Sequence, residues 1–135
     1  MQVMIDPDNG VPIYEQVVRQ VKYAVAENVV LPGQPIPSVR EMAKTLAINP
    51  NTVQRAYLQL QNDQVIEVLR GRGMVVSSGA KKICVSSRKS VVTNRIETVV
   101  VEAVQSGMEA EEIRHAFEAA LSSARQRDKA SDQES

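Results

Sequence analysis

The side chains best suited to contact a partner chemically lie in the stretch NPNTVQR, residues 49–55. In a helix that begins at Pro50, the spacing of Asn51, Gln54 and Arg55 places all three on one outward face. Side-chain amides pair with adenine in the DNA major groove, and a guanidinium pairs with guanine. The pattern therefore indicates a helix face that reads base edges. The alternative, on these residues alone, is the polar surface of an ordinary helical hairpin.

A second group of chemically capable residues is the stretch RGRG at positions 70–73. Its two glycines let the backbone turn sharply and approach another surface closely. Arg70 and Arg72 suit an anionic partner, either a phosphate or a narrow minor groove. As an isolated loop the stretch is weak evidence, because many hairpins carry an exposed arginine.

The candidate for catalysis is His115, which stands between Glu111 and Glu118. These three side chains could mimic a metal site or an acid–base site. The same spacing is typical of a solvated helix face, which is the interpretation we favour. The sequence has no Gly-rich phosphate loop, no Cys/His cluster and no nucleophile motif. We therefore expect a protein that is not an enzyme and that holds no metal or cofactor, with a small metal-dependent enzyme as a remote alternative.

Two short helices position the base-reading residues. Ser38 and Glu41 have the capping-box form S-x-x-E, in which the hydroxyl accepts a backbone N–H and the carboxylate reaches back to the N–H of Ser38. Asn49 followed by Pro50 predicts the start of the second helix. Only two residues remain between the helices, so they must cross steeply, as in a helix-turn-helix. The predicted buried stripe of the second helix consists of Val53, Ala56, Tyr57 and Leu60.

Further elements flank this pair. A helix is predicted from Pro12 to about Asn28, with Arg19 and Lys22 exposed. Two strands rich in β-branched residues are predicted at 65–69 and 74–77. A hairpin directly behind a helix-turn-helix is the wing of a winged helix, which strengthens the interpretation of Arg72 as a DNA contact.

Composition limits the function classes. Cys84 is the single cysteine, so no intrachain disulfide can form and a reducing cytoplasm is expected. The N-terminus does not resemble a signal peptide, and no apolar run approaches the ~20 residues that span a bilayer. Net charge is zero but unevenly placed, with seven bases and no acid in 68–96 and nine acids in 97–135. Binding to DNA or membrane through bulk charge is therefore not expected.

The stretches PIYEQV, LPGQPIPSVREMA, NPNTVQRAYLQL and GRGMVV resemble, in order and spacing, the N-terminal winged helix of GntR-family transcription regulators. The resemblance implies DNA contacts at the start of the middle helix, along the recognition helix and at the wing tip. The implied contact residues are Ser38, Arg40, Asn49, Asn51, Thr52, Gln54, Arg55, Arg72 and Gly73, and Arg70 joins them from the wing tip. Two turn positions depart from the family pattern, since Ala47 and Gln64 stand where glycine is usual.

The rest of the chain resembles the short YtrA-type branch of the family, in the stretch EAVQSGMEAEEIRHAF. We predict a winged-helix DNA-binding domain at 1–77, a connector at 78–87, a two-helix segment at 88–126 and a disordered tail at 127–135. In that branch the two C-terminal helices chiefly dimerise, and two isolated helices bury little against each other. The predicted dimer contacts are Ile96, Val99, Val100, Ala103, Ile113, Phe117 and Leu121.

The expected fold is thus mostly α with a small β-hairpin, a winged helix-turn-helix followed by a two-helix dimerisation segment. The expected function is transcription regulation in the cytoplasm, as a repressor that binds a palindromic double-stranded DNA operator as a homodimer. A winged helix that serves only as a protein-interaction module is the alternative. A small-molecule effector could bind at the dimer interface, but the sequence identifies no pocket residues.

Overall fold

The computed structural model describes residues 1–134, which form five helices and one two-stranded sheet. The helices are α1 Ile13–Ala26, α2 Val39–Leu46, α3 Pro50–Asn62, α4 Ala80–Gln105 and α5 Ala110–Glu134, and the strands are β1 Ile66–Leu69 and β2 Gly73–Val76. The chain divides into two compact units, Met1–Val91 and the residues from Val92 onward. Across residues 1–134, no helix combines the length and the apolar character that crossing a membrane requires.

The caps of α2 and α3 form at the predicted residues. The Ser38 hydroxyl accepts the Glu41 N–H at 3.1 Å, and the Asn49 side chain accepts the Asn51 N–H at 2.8 Å. One detail of the predicted capping box is wrong: the Glu41 carboxylate accepts the Ser38 hydroxyl, also at 3.1 Å, instead of the Ser38 backbone N–H. Between the helices, Ala47 adopts a left-handed conformation with φ 54°, which supplies the steep turn.

The core of the first unit forms where α3 packs against α1 and α2. The predicted stripe of α3 is fully buried, which confirms its orientation. Tyr57 places a hydroxyl within this apolar layer and donates it to the Pro37 carbonyl at 2.7 Å. Burial, followed by the nearby charge of Glu41, raises the pKa of Tyr57, so the phenol stays protonated and remains a donor. This bond ties the middle of α3 to the start of α2.

The wing is an antiparallel hairpin whose strands lie within one residue of the predicted bounds. Ile66 pairs with Val76, and Leu69 pairs with Gly73. The outer edge of β2 is not open, because Pro35 forms an isolated bridge to Val75. The loop before α2 is therefore fastened along the back of the wing. Gly71 and Gly73 have positive φ values of 85° and 76°, so the tip uses the conformational freedom inferred from its glycines.

The predicted connector at 78–87 is wrong over most of its length, because α4 begins at Ala80 rather than near residue 88. Ala80 and Cys84 are fully buried and stand one turn apart, with Ile83 packed partly against the same core. The serine, lysine and glycine content predicts a loop, but this apolar spacing favours a helix whose first turns pack on the core of the first unit.

The predicted disordered tail at 127–135 is also contradicted, because α5 continues to Glu134; Ser135 lies outside the described residues. The stretch from Ala124 onward lacks glycine and proline and is rich in Arg, Lys, Gln and Ala, which are strong helix formers. Polarity alone was therefore a poor guide. Gly107, between α4 and α5, has φ 84°, as predicted for a left-handed cap.

The second unit has no buried core within residues 92–132. No side chain described from residue 92 to residue 132 is buried. Several large apolar side chains are exposed there, among them Ile96 at 46%, Val99 at 51% and Leu121 at 47%. Helices in proteins gain most of their stability from packing an apolar face against a partner surface.

Candidate nucleic-acid interface

The first two turns of α3 present polar side chains to solvent, as predicted. Asn51 and Gln54 are exposed, Thr52 is half-buried, and Leu58 on the same face is 49% exposed. The opposite face is held by the fully buried side chains of the stripe, so the helix cannot rotate without exposing its core contacts. This packing fixes which side chains face outward.

The two cap residues are partly committed to their helices. The carbonyl oxygen of the Asn49 side chain accepts the Asn51 N–H, so its amide N–H donors are the groups that remain for a DNA acceptor. The Ser38 hydroxyl accepts and donates within α2. Arg40, the second residue of α2, is exposed. Of this predicted set, Arg40 is therefore the side chain best placed to hold a phosphate or a base.

Arg55 is exposed, as predicted for the outer face of α3, but it also contacts α1. Its guanidinium lies over the ring of Tyr14 in α1, 3.8 Å from the ring centroid. Tyr14 was missed as part of the site. The contact joins residues 41 positions apart, and the only sequence signal for it is an aromatic residue on an amphipathic helix.

The wing tip carries Arg70, Arg72 and Gly73, all exposed. Arg72 and Gly73 also line an open groove of about 830 Å³ together with Ser38. The structure thus brings the wing tip and the start of α2 to one groove, although they are separated by more than thirty residues in the sequence. Glu41 lies in the same groove and places one negative charge beside these groups.

An ion pair fastens the far end of α3 to α1. Lys22 Nζ lies 2.8 Å from Asp63 Oδ2, and Gln59 donates to the other carboxylate oxygen at 3.1 Å. Burial alone would raise the pKa of Asp63, but the hydrogen bonds from Lys22 and Gln59 and the charge of Lys22 lower it overall. Lys22 is half-buried, so its predicted exposure is wrong.

The histidine trio is not assembled as a site. Glu111 Oε1 accepts Arg114 Nη1 at 2.5 Å, which engages the carboxylate nearest the start of α5. Within the part of the chain that the structure describes, no group of three or more His, Cys, Asp or Glu side chains is arranged to hold a metal ion. Cys84 is buried, and that burial raises the pKa of its thiol and disfavours the reactive thiolate.

Three helices with a steep α2–α3 turn, an exposed polar face on α3 and a hairpin behind it define a winged helix-turn-helix, a class of DNA-binding proteins. Residues 13–76 match the family model described as bacterial regulatory proteins, gntR family. The chain is 37% identical to the HTH-type transcriptional repressor YtrA of Bacillus subtilis, over 82% of this chain and 85% of that protein.

Solved structures agree. A transcriptional regulator from Oenococcus oeni superposes with a TM-score of 0.74 at 30% identity, covering 90% of this chain and 99% of that one. A GntR family transcriptional regulator from Listeria monocytogenes gives a TM-score of 0.68 at 27% identity, covering 83% and 97%.

The chain belongs to the GntR family of bacterial regulatory proteins. It is a transcription regulator with a DNA-binding winged helix-turn-helix, and the proteins it resembles are regulators rather than enzymes.

Proposed function

We propose that this regulator is a cytoplasmic repressor that binds an inverted-repeat DNA operator as a homodimer. The observation that carries the proposal is the exposed polar face at the start of α3, fixed in orientation by a fully buried opposite face. Asn51 and Gln54 would read base edges there, because their amides can donate and accept together. Asn49 and Thr52 would approach the same groove from the first turn.

Phosphate contacts would come from the flanking elements. Arg40 at the start of α2 and Arg70 and Arg72 at the wing tip are exposed cations. Contacts of this kind fix the register of a protein on the duplex and make affinity depend on salt. Ser38 and Gly73, which share the groove with Arg72, would let the DNA backbone approach closely.

The homodimer is supported by the uncovered apolar side chains of the second unit. Val92, Ile96, Val99 and Ala103 recur with steps of four, three and four residues, the spacing of a helix–helix seam. On α5, Ile113, Phe117 and Leu121 continue at one-turn intervals. A second copy would supply the same apolar surface and so form a self-complementary interface. The predicted dimer contacts Val100 and Ala103 are already half-buried.

A two-fold axis implies the form of the operator. Two α3 helices related by that axis would enter successive major grooves about one helical turn apart, so the half-sites would be inverted. The repressor assignment is supported by the name of the Bacillus subtilis relative, which is described as a repressor.

Selection from a random duplex pool with the full chain tests the proposal. We expect enrichment of one inverted repeat and protection of two half-sites in footprinting. The matched control pair is Arg40→Ala, expected to lose enrichment, and Arg125→Ala, which removes an exposed arginine of α5 and should retain it. Enrichment of no motif would reject sequence-specific binding and favour the protein-interaction alternative. A single unrepeated half-site would reject the two-fold mode.

A further inference from the structure

The first unit contains a cleft that is lined by none of the predicted DNA-contact residues. It has a volume of about 320 Å³ and lies among α1, the C-terminal half of α3 and the first turns of α4. Tyr14 and Tyr23 of α1 contribute aromatic walls, and Val18 and Val91 contribute apolar surface. This volume is near the lower end of ~300–1,000 Å³ for small-molecule sites.

The cleft is positively charged on balance. Its lining includes three cations, Arg19, Lys22 and Arg88, and two carboxylates, Glu15 and Asp63. Lys22 and Asp63 form a close ion pair at 2.8 Å, whereas the charged groups of Arg19 and Glu15 are farther apart, at 3.9 Å.

Arg88 is the cation available for a ligand. None of the ion pairs found within residues 1–134 includes it. Its guanidinium instead lies 4.6 Å from the centroid of the Tyr23 ring. A stacked guanidinium keeps its N–H donors in a plane that matches a carboxylate.

Tyr14 connects the cleft to Arg55 on the outer face of α3. Tyr14 lines the cleft, and its ring also supports the guanidinium of Arg55 at 3.8 Å. A ligand that shifts the Tyr14 ring would therefore change the support of Arg55. One exposed cation–π contact changes an equilibrium constant by about two- to fivefold.

We propose that this cleft binds a small aromatic carboxylate, with the carboxylate on Arg88 and the ring against the tyrosines, and that Tyr14 transmits its occupancy to Arg55. The chemistry follows from an available guanidinium beside two aromatic walls in a cleft of small-molecule size. The binding step stands on the cleft alone, whereas the regulatory step rests on the proposed operator binding.

Benzoate is the probe for the binding step, and the tyrosines are the reporters. The chain has three tyrosines, so 3-fluorotyrosine labelling gives three ¹⁹F signals. Tyr14 and Tyr23 line the cleft, while Tyr57 is fully buried in the core and serves as an internal control. We expect benzoate to shift the first two signals saturably and to leave the third unchanged. Benzamide, which lacks the charge, should bind more weakly.

The matched variants are Arg88→Gln and Arg95→Gln, two exposed arginines of α4 of which only the first lines the cleft. We expect Arg88→Gln to weaken benzoate binding about tenfold, as loss of one charge-assisted contact implies, and Arg95→Gln to leave it unchanged. Absence of a saturable shift, equal binding of benzamide, or equal behaviour of the two variants would overturn the site.

Operator affinity tests the regulatory step. Saturating benzoate should weaken operator binding about two- to fivefold in the natural sequence and in Tyr14→Phe, which keeps the ring, but not in Tyr14→Leu. Equal operator affinity with and without benzoate in the natural sequence would overturn the coupling. If the chain bound no operator, the proposed function and the coupling would both fail, while the tyrosine signals would still decide the site.

Discussion

Arg55 and Tyr14 form a stacked pair, with 3.8 Å between the guanidinium carbon and the ring centroid. The pair joins the recognition helix α3 to α1, an element that no DNA-contact prediction included. A long cationic side chain on an exposed helix face would otherwise sample many rotamers, and ordering it on a DNA contact would cost conformational entropy. The ring limits that freedom before DNA arrives.

A double-mutant cycle measures this preorganisation. We expect Arg55→Ala to weaken operator binding by about 1–3 kcal/mol and Tyr14→Leu to weaken it by less, with a coupling energy of about 0.5–1 kcal/mol. Tyr14→Phe retains the ring and should bind as the natural sequence does. Strict additivity in fluorescence anisotropy titrations would show that the stack does not act on DNA binding.

Arg40 carries the second prediction. Arg40→Ala should weaken operator binding by about 1–3 kcal/mol if the guanidinium reaches a base, and the loss should then depend on the base at one operator position. If it holds only a phosphate, affinity should fall for all sequences alike and the logarithmic salt slope should decrease by about 1. Titrations at several salt concentrations distinguish the two, and unchanged affinity would remove Arg40 from the interface.

The dimer seam is tested by two valines of α4 with nearly equal exposure, Val99 at 51% and Val101 at 50%. Val99 lies on the proposed seam, and Val101, two residues on, points to a different side of the helix. Val99→Glu should shift the chain toward monomer in analytical ultracentrifugation, because it buries an unpaired charge in the interface. Val101→Glu should leave the dimer intact. A monomeric natural chain at micromolar concentration would contradict the seam itself.

The Lys22–Asp63 pair makes stability depend on pH. The folded-state pKa of Asp63 is lowered. The ionised carboxylate therefore stabilises the fold above the unfolded pKa of about 3.9, and this stabilisation is lost as pH falls through the folded value. Asp63→Asn should reduce the free energy of unfolding by about 1 kcal/mol at neutral pH, and the difference should shrink in acid. Urea denaturation at several pH values measures this. Asp8→Asn, in the exposed N-terminal turn, is the control and should change little.

The left-handed residue between α2 and α3 offers a stabilising change. Ala47 has φ 54° and ψ 44°, a conformation that glycine adopts without steric cost. Ala47→Gly should raise the free energy of unfolding by about 0.5 kcal/mol, since relief of that cost is partly offset by greater freedom of the unfolded chain. Ala43→Gly, inside α2 and buried in the core, should lower it by at least about 1 kcal/mol. Thermal unfolding should show that one variant is stabilised and the other destabilised. If both substitutions lower the free energy of unfolding, the turn is not strained.

Local signals were sufficient to predict the elements around α3. Each of these features depends on residues within a few positions of one another, so a short stretch of sequence is enough to predict it. They are the caps at Ser38 and Asn49 and the buried stripe through Tyr57. The β-branched residues likewise placed the two strands of the wing within one residue.

Predictions failed where tertiary packing or helix propensity outweighed composition. The stretch around Ala80 and Cys84 is polar in composition but helical, because these two residues pack on the core. The stack of Arg55 on Tyr14, the Lys22–Asp63 pair and the cleft join positions far apart in sequence. No local pattern specifies such contacts.

The absence of a buried side chain from residue 92 to residue 132 has a consequence for how the protein behaves at low and high abundance. If a second molecule covers these apolar side chains, the fraction of molecules in which the helices are folded depends on the concentration of the protein in the cell. Scarce copies would then be frayed and open to proteolysis, while abundant ones would be protected. Turnover of this regulator would thus sharpen its response to its own expression level.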